Sequence, residues 1–305
     1  MSGQIQRVAV IGAGVIGLSW VTQFLAAGLE VTVWDPDPEI DAKLADALAT
    51  ADVPAEAATR VRVCATVAEA VADAQFVQEN GPERLDVKQE LFAQLDATPA
   101  GVVIASSSSG LTPSQIQATC ATPERVVIGH PFYPPHLIPV VEVVGGSKTE
   151  DWAVDTAVDF YDRIGKRPIK VRTELPGHIV NRLQAALWRE AYWLVREGAV
   201  SVADLDTAIA YGPGLRWALL GPFATQHLSG GEGGLAHVLE HLGPPMVDWW
   251  HTFETPPLDQ QCIDAAVDGV DAELADIDQA AMVAERDALL EQLVALKSNA
   301  RHLPG

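Results

Sequence analysis

Residues 8–17 read Val-Ala-Val-Ile-Gly-Ala-Gly-Val-Ile-Gly, an apolar run that leads into three closely spaced glycines. The pattern predicts a buried strand, followed by a helix that begins within the glycine turn. In such a turn Gly12 permits the bend, Gly14 lets a ligand approach the backbone, and Gly17 lets the helix pack on the strand. Because free N–H groups at a helix start bind phosphate, we expect a Rossmann-type turn that holds a dinucleotide pyrophosphate. The expected contacts come from Gly12, Gly14, Val15, Ile16 and Gly17.

The residue that closes the second apolar run supports this interpretation and selects the cofactor. Glu30-Val-Thr-Val-Trp-Asp35 ends 18 residues after Gly17, where an acid accepts hydrogen bonds from a ribose 2′-hydroxyl. Asp35, Asp37 and Glu39 place three carboxylates where a 2′-phosphate would need an arginine, so like charges would repel it. The sequence therefore predicts NAD rather than NADP.

The composition describes a globular chain and excludes several classes of partner. The 305 residues are 48% apolar with a mean hydropathy of +0.12, and their number favours two domains. A formal net charge of −21 argues against nucleic acids and anionic membranes, which leaves a small-molecule substrate. Residues 8–29 carry no charge, but their glycines and polar residues favour a buried strand and helix over a membrane span. Cys64, Cys120 and Cys262 have no metal-binding spacing, so we expect no metal, and such free cysteines are typical of a reducing cytoplasm.

Strand-like and helix-like segments alternate through the first 170 residues. Strands are predicted near 7–11, 30–34, 61–64, 75–78, 101–106, 126–130, 138–144 and 168–172. Helices are predicted at 14–27, 39–50, 83–96, 112–119 and 150–165, and after Pro176 at 179–197, 202–210 and 273–300, among others. Strands that alternate with helices predict a doubly wound parallel sheet. We therefore expect an α/β chain: an N-terminal Rossmann-type domain over residues 1–175 and an all-helical domain over residues 176–305.

Polar residues follow or interrupt three buried segments of the first domain. Residues 106–110, Ser-Ser-Ser-Ser-Gly, follow a buried run, His130 ends another, and Glu142 lies within a run of valines. Side chains at the carboxyl ends of parallel strands face the ligand crevice. A buried carboxylate needs a partner, and we expect Glu142 to fix the tautomer of His130 and raise its basicity. His130 would then be the general base for a hydroxyl proton, with a purely structural role as the alternative.

Five segments, in the expected order, resemble the 3-hydroxyacyl-CoA dehydrogenase superfamily. They are the glycine turn and residues 78–88, 106–111, 129–142 and 177–183, which together cover both predicted domains. The resemblance implies hydride transfer between a substrate C3 and NAD, with His130 and Glu142 as the catalytic pair. It also implies a homodimer formed through the helical domain. Tyr133 departs from the pattern, because the family usually has Asn there, and this leaves the polar contacts beside His130 open.

The same resemblance assigns further site residues. Ser109 and Asn181 would hydrogen-bond the reacting oxygen, where charge develops. Glu83 would lie on the nicotinamide side, and Lys88 and Ser107 would belong to the cofactor site. Ordinary turn or helix roles for Ser109, Asn181 and Glu83 are the alternatives.

The substrate is narrowed by charge and by a second resemblance. Residues 36–60 hold two cations against six acids, which suits CoA phosphates poorly. Residues 211–222 and 226–235 resemble the group within the superfamily that includes carnitine and L-gulonate 3-dehydrogenases and lambda-crystallin. This implies a free 3-hydroxy carboxylate. Arg216 is a candidate for binding its carboxylate, with an interdomain salt bridge as the alternative. Trp217 is a candidate for binding a quaternary ammonium, with a place in the core or in a dimer interface as the alternative.

Several functions stay open at this stage. The sequence does not choose between carnitine-like and gulonate-like acids, and a CoA thioester substrate is the nearest rival. A catalytically idle NAD-binding protein, comparable to lambda-crystallin, is an alternative of another class. The lysine-dependent 3-hydroxyacid dehydrogenases are disfavoured, because residues 177–197 contain no lysine.

Overall fold

A computed structural model describes residues 4–51 and 53–303, and the chain groups into two compact units that divide between Arg182 and Leu183. The domain boundary predicted between residues 175 and 176 stays a prediction. The two predicted domains also include residues 1–3, 52 and 304–305, which lie outside the described residues.

The first unit is built on one sheet of eight strands. These are β1 (Arg7–Ile11), β2 (Glu30–Trp34), β3 (Val61–Val63), β4 (Phe76–Glu79), β5 (Val103–Ser106), β6 (Val126–Pro131), β7 (Val140–Gly145) and β8 (Arg167–Val171). The strand order is β3-β2-β1-β4-β5-β6-β7-β8, and neighbours are parallel except β6 and β7. Residues 132–139 between that pair are too few for a crossover, which requires a dozen or more, so β7 runs antiparallel to β6.

Helices cover both faces of this sheet. They are α1 (Val15–Ala26), α2 (Ile40–Thr50), α3 (Ala55–Ala58), α4 (Val67–Val71), α5 (Leu85–Leu95), α6 (Pro113–Ile116) and α7 (Asp151–Arg163). Side chains alternate across the strands, so Val8 and Val10 of β1 pack with Trp20 and Phe160, whereas Ile11 packs with Phe92 on the other face. The doubly wound α/β fold is therefore confirmed.

The described residues of the second unit form helices and their connections, without a strand. Helix α8 (Val180–Arg196) begins in the first unit, and the others are α9 (Val202–Tyr211), α10 (Pro213–Leu219), α11 (Pro222–Ser229), α12 (Gly234–Trp250), α13 (Gln260–Glu273) and α14 (Gln279–Ser298). The single helix predicted over 273–300 is wrong over residues 274–278: α13 ends at Glu273, and α14 begins only after Asp278. The Asp278 side chain accepts hydrogen bonds from the Ala280 and Ala281 N–H groups, which fixes the new helix start.

Membrane crossing finds no support in the described helices, none of which is both long and apolar enough for it.

Candidate active site

The glycine turn between β1 and α1 leaves space for phosphates. Gly12 has φ +85°, and a Cβ there would lie 2.9 Å from the backbone of Asn80 and Gly81. A Cβ on Gly17 would lie 2.0 Å from the Gly12 carbonyl oxygen, so the helix packs directly on the turn. A Cβ on Gly14 would meet nothing within 4 Å, and Gly14 precedes the first residue of α1. This open backbone at a helix start fits the pyrophosphate of a dinucleotide.

The acid at the end of β2 is tied to the same turn. Asp35 Oδ2 accepts the Ala13 N–H at 2.6 Å, and Oδ1 accepts the Asp37 N–H at 2.9 Å. The carboxylate is thereby held beside the glycine turn, with lone pairs left over for ribose hydroxyls. Val15 is largely exposed at the start of α1 and Ile16 is half-buried behind it.

A buried ion pair braces the ends of β4 and β5. Lys88 of α5 donates to both oxygens of Glu79 at 3.0 Å and to the Gly81 carbonyl at 3.0 Å. Glu79 also accepts the Ser106 hydroxyl at 2.6 Å. These contacts occupy all three protons of the ammonium, so Lys88 shapes the crevice by holding Gly81 in place. Its predicted direct contact with the cofactor stays a prediction.

Ser107 is the centre of a second polar network. Its hydroxyl accepts from Trp20 Nε1 at 3.2 Å and Gln78 Nε2 at 2.9 Å, and donates to Asn80 Oδ1 at 2.7 Å. Asn80 Nδ2 in turn donates to the Gly12 carbonyl at 3.3 Å. Ser107 thus positions Asn80 against the glycine turn, and any contact of Ser107 with the cofactor stays a prediction. Gln78 and Asn80 lie in a segment that the sequence analysis quoted without giving them a role.

Glu83 holds the loop after β5. Its Oε1 accepts the Ser108 hydroxyl at 2.6 Å, the Gly110 N–H at 2.8 Å and the Leu111 N–H at 3.1 Å. Burial opposes ionisation, but these hydrogen bonds outweigh it and lower the pKa of Glu83 from its ordinary value. The carboxylate is therefore a fixed anion beside exposed Ser109.

His130 and Glu142 face each other across the antiparallel pair β6 and β7. The two residues are directly opposite in the register, and His130 Nδ1 lies 2.9 Å from Glu142 Oε2, with both side chains buried. A carboxylate only accepts, so Nδ1 carries a proton, and in the neutral ring Nε2 has the lone pair that a general base needs.

The other oxygen of Glu142 is held by the start of α8. Oε1 accepts the Ile179 N–H at 2.8 Å and the Val180 N–H at 3.0 Å. Burial raises the pKa of Glu142, but the hydrogen bonds from His130 and from these two N–H groups outweigh it, so the pKa lies below its ordinary value. Glu142 therefore stays ionised beside the His130 ring.

Asn181 and Ser109 come together at this site. Asn181 Nδ2 donates to the Ser109 carbonyl at 3.2 Å, which joins the first turn of α8 to the loop after β5. His178, which sequence reasoning missed, donates from Nε2 to the neighbouring Ser108 carbonyl at 3.0 Å. Its signal in the sequence was a histidine directly after Gly177, in the connection between β8 and α8.

Tyr133 lies on the link from β6 to β7 and is exposed. The link is held from behind: buried Lys166 donates to the carbonyls of Pro135 and, at 3.1 Å, of Ile138. Ser19 Oγ lies 2.7 Å from His136 Nδ1. These contacts hold the backbone of residues 135–138, so the exposed side chain of Tyr133 lies on a loop that hydrogen bonds hold in place.

Arg216 and Trp217 lie on α10 in the second unit, and both side chains are exposed. Their predicted contacts with a substrate carboxylate or ammonium group stay predictions.

The fold and site together define a dehydrogenase with an NAD-binding Rossmann-type domain and a helical domain. The model of the 3-hydroxyacyl-CoA dehydrogenase NAD-binding domain matches residues 7–174, and that of the C-terminal domain of the same enzymes matches residues 177–267. The chain belongs to the 3-hydroxyacyl-CoA dehydrogenase family and is an NAD-dependent oxidoreductase that acts on 3-hydroxy acids. The resemblance and the cofactor predicted from the sequence are confirmed.

Curated relatives align over nearly the whole chain. L-carnitine dehydrogenase of Nocardiopsis dassonvillei is 50% identical over 295 residues, which cover 94% of this chain and 90% of the relative. L-carnitine dehydrogenase of Streptomyces coelicolor is 51% identical over 293 residues, 93% of this chain and 92% of the relative.

Solved structures share the fold. The NAD⁺-dependent dismutase 5-formyl-3-hydroxy-2-methylpyridine 4-carboxylic acid 5-dehydrogenase superposes with a TM-score of 0.83 at 26% identity, covering 98% of this chain and all of the other. FadB2 of Mycobacterium tuberculosis superposes with a TM-score of 0.66 at 27% identity, covering 86% of this chain and 95% of the other.

Proposed function

We propose that the protein oxidises L-carnitine to its 3-keto acid with NAD⁺. The observation that carries this proposal is the 50–51% identity, over more than nine-tenths of the chain, to proteins named L-carnitine dehydrogenase. The sequence alone did not choose between a carnitine-like and a gulonate-like substrate, and these relatives favour the carnitine-like substrate.

Charge supports this substrate over a CoA thioester. Carnitine carries one carboxylate and one quaternary ammonium, so it has no net charge and the overall charge of −21 does not repel it. A CoA thioester brings several phosphate charges to a chain whose residues 36–60 offer two cations against six acids. Electrostatic repulsion therefore disfavours binding of a CoA thioester more than binding of carnitine.

In the proposed mechanism His130 is the general base. NAD⁺ would be held by the glycine turn and Asp35, and it would supply the acceptor for the hydride from C3 of the substrate. His130 Nε2 takes the hydroxyl proton as the C–O double bond forms, and the resulting imidazolium is stabilised by Glu142, which is held ionised by the start of α8. In the reverse direction the imidazolium returns the proton to the developing alkoxide.

Ser109 and Asn181 contact the reacting oxygen in this proposal. Their link through the Ser109 carbonyl keeps the two side chains as neighbours. A hydroxyl and an amide N–H can both donate to an oxygen on which negative charge develops, which lowers the barrier more than it strengthens substrate binding.

Arg216 and Trp217 serve the two ends of the substrate in this proposal. A guanidinium matches a carboxylate in a bidentate pair, and an indole face attracts a quaternary ammonium. Both residues have exposed side chains.

We also propose a homodimer that forms through the helical unit and works in the cytoplasm. Large apolar side chains of this unit are exposed in the single chain, among them Leu183, Trp188, Leu239, Leu242, Trp249, Trp250, Leu258 and Leu296. Exposed apolar surface of this extent is typical of an interface, and a symmetric pair would cover it in both copies. The three cysteines are free, which fits a reducing compartment.

A substrate panel tests the proposed function. NADH formation at 340 nm is measured with L-carnitine, L-gulonate, 3-hydroxybutyrate and 3-hydroxybutyryl-CoA, each at several concentrations. We expect the highest kcat/KM for L-carnitine. A higher value for gulonate or for the thioester would reassign the substrate, and NADH binding without turnover of any of the four would favour the idle protein.

A further inference from the structure

The connection from β8 to α8 contains a strained histidine. Gly177 has φ +74° and His178 has φ +50°, a region that a residue with a side chain rarely adopts. The His178 side chain is nevertheless fully buried. Strained backbone of this kind persists where the surrounding structure holds it, and it is concentrated at functional sites.

The hydrogen bonds of His178 define its tautomer. Nε2 lies 3.0 Å from the Ser108 carbonyl oxygen, which can only accept, so Nε2 carries the proton. Nδ1 then bears a lone pair, and this buried atom has no hydrogen-bond partner in residues 4–51 and 53–303. An apolar side chain would pack in the same place without a buried unpaired acceptor, so packing alone does not account for an imidazole here.

His178 is also adjacent to the proposed base. The centroids of the His178 and His130 rings are 5.4 Å apart. Burial lowers the pKa of His178 from its ordinary value, and the nearby His130 lowers it further, against the hydrogen bond to Ser108. His178 therefore stays neutral beside a ring that gains a proton in the reaction.

Residues 178–181 make hydrogen bonds both to the loop after β5 and to Glu142. His178 holds the Ser108 carbonyl, the next two N–H groups hold Glu142, and Asn181 holds the Ser109 carbonyl. The hydrogen bond from His178 is the first of these links along the chain. Its loss would remove one of the two described hydrogen bonds, from His178 and from Asn181, that join the loop carrying Ser109 to the segment that holds Glu142.

We propose that His178 is a positioning residue for oxidation of the 3-hydroxy acid, which sets the Ser108–Ser109 loop against the His130–Glu142 pair. It acts through the Ser108 carbonyl and through its own backbone, and it takes no proton from the substrate. This inference rests on the proposed function. It concerns the geometry of the reacting oxygen and leaves the affinity for NAD untouched.

The test compares His178→Phe with His178→Gln. Phe fills the volume without a donor, whereas the Gln amide can reach the Ser108 carbonyl. We expect His178→Phe to lower kcat for L-carnitine about 100-fold, the size of effect that a displacement of about 1 Å produces. KM and NADH affinity, measured by protein fluorescence, should change less than about threefold, and His178→Gln should recover at least about tenfold of the lost kcat. Thr173→Ala, an exposed site on the same connection, is the matched control and should behave as the wild type.

Each other outcome has a distinct meaning. Near wild-type kcat in His178→Phe, or equal loss in the Phe and Gln variants with NADH binding intact, overturns the positioning role. Loss of NADH binding together with a lowered Tm assigns His178 to folding and also overturns it. If the wild type oxidises none of the panel substrates, the proposed function fails first and this inference falls with it.

Discussion

The two units of the molecule use their apolar residues in opposite ways. In the first unit, large side chains are completely buried on both faces of the sheet, such as Trp20 and Phe24 on one face and Phe92 on the other. In the described part of the second unit buried apolar side chains are few, with Val238 and Cys262 as examples, and large ones such as Trp249 and Leu296 are exposed. The first unit therefore completes its own core, whereas the second has surface suited to a second copy.

The catalytic groups follow the same division. His130, Glu142, His178 and Asn181 are fixed by hydrogen bonds within the first unit. The residues proposed for the distal ends of the substrate, Arg216 and Trp217, belong to the second. In the proposed function, proton transfer therefore depends on residues of the first unit, and we expect substrate selection to depend on residues of the second.

The largest expected effect tests the self-contained unit. Replacement of His130 by Gln removes the proton acceptor, and turnover should fall at least about 1000-fold, because general base catalysis contributes on the order of 10²–10⁴-fold. NADH should still bind, since the glycine turn and Asp35 are unchanged. Turnover is followed at 340 nm and binding by fluorescence, and substantial residual activity would remove His130 from the catalytic role.

The next prediction tests the exposed face of the helical unit. Light scattering should give about twice the chain mass of 32.5 kDa for the wild type, and a monomer for Leu239→Glu/Leu242→Glu. Buried uncompensated carboxylates cost about 4 kcal/mol, roughly a thousandfold in Kd. Glu240→Ala on the same helix is the control and should stay dimeric. A monomeric wild type, or a dimeric double variant, would contradict the proposed interface.

A third prediction probes the interior of the first unit through pH. Burial lowers the pKa of Lys166 to about 8, from 10.5 for the ordinary side chain. Between pH 8 and 10.5 Lys166 is protonated in the unfolded chain to a greater extent than in the folded protein. The contribution of Lys166 to the free energy of unfolding therefore rises with pH in this range and is lowest below pH 8. The free energy of unfolding of the wild type, relative to Lys166→Met, should increase by up to about 3 kcal/mol from pH 8 to 10.5. Guanidinium titrations across this range measure it, and parallel curves for the two proteins would mean that the Lys166 pKa is ordinary.

The smallest expected effect concerns cofactor choice. Asp35→Ser removes hydrogen bonds from a charged acceptor, so KM for NAD⁺ should rise about thirtyfold, equivalent to about 2 kcal/mol, and discrimination against NADP⁺ should weaken. Asp37→Ser, whose side chain pairs with Lys43 on the surface, should leave both values near those of the wild type. Equal effects of the two substitutions would indicate a general charge effect rather than a ribose contact.

Features that arise from local pattern could be predicted from the sequence. Apolar runs located the central strands β4, β5 and β6 of the described sheet, because a strand that is buried on both faces needs continuous apolar residues. A carboxylate within a run of valines indicated that Glu142 has a partner, and the structure pairs it with His130. The role of that pair in proton transfer stays a prediction.

Features that depend on distant contacts could not be predicted in this way. The pairing of Lys88 with Glu79 joins a helix to a strand end, and no local pattern reports it. The positive φ of His178 is not encoded by its residue type. The boundary between α13 and α14 was missed because Leu274 and Ile277 continue the helical spacing, although Asp278 could have indicated it as a helix cap.

The antiparallel pairing of β6 and β7 has a consequence for how this enzyme can diversify. His130 and Glu142 lie opposite each other because of the hydrogen-bond register of the two strands. This register does not depend on the number of residues in the link between the strands. Insertions or deletions in that link would alter the outer wall of the site while the two reactive groups stay aligned. Relatives with other substrates can therefore differ in the 12-residue interval and still retain the same chemistry, so a search by fixed spacing would overlook them.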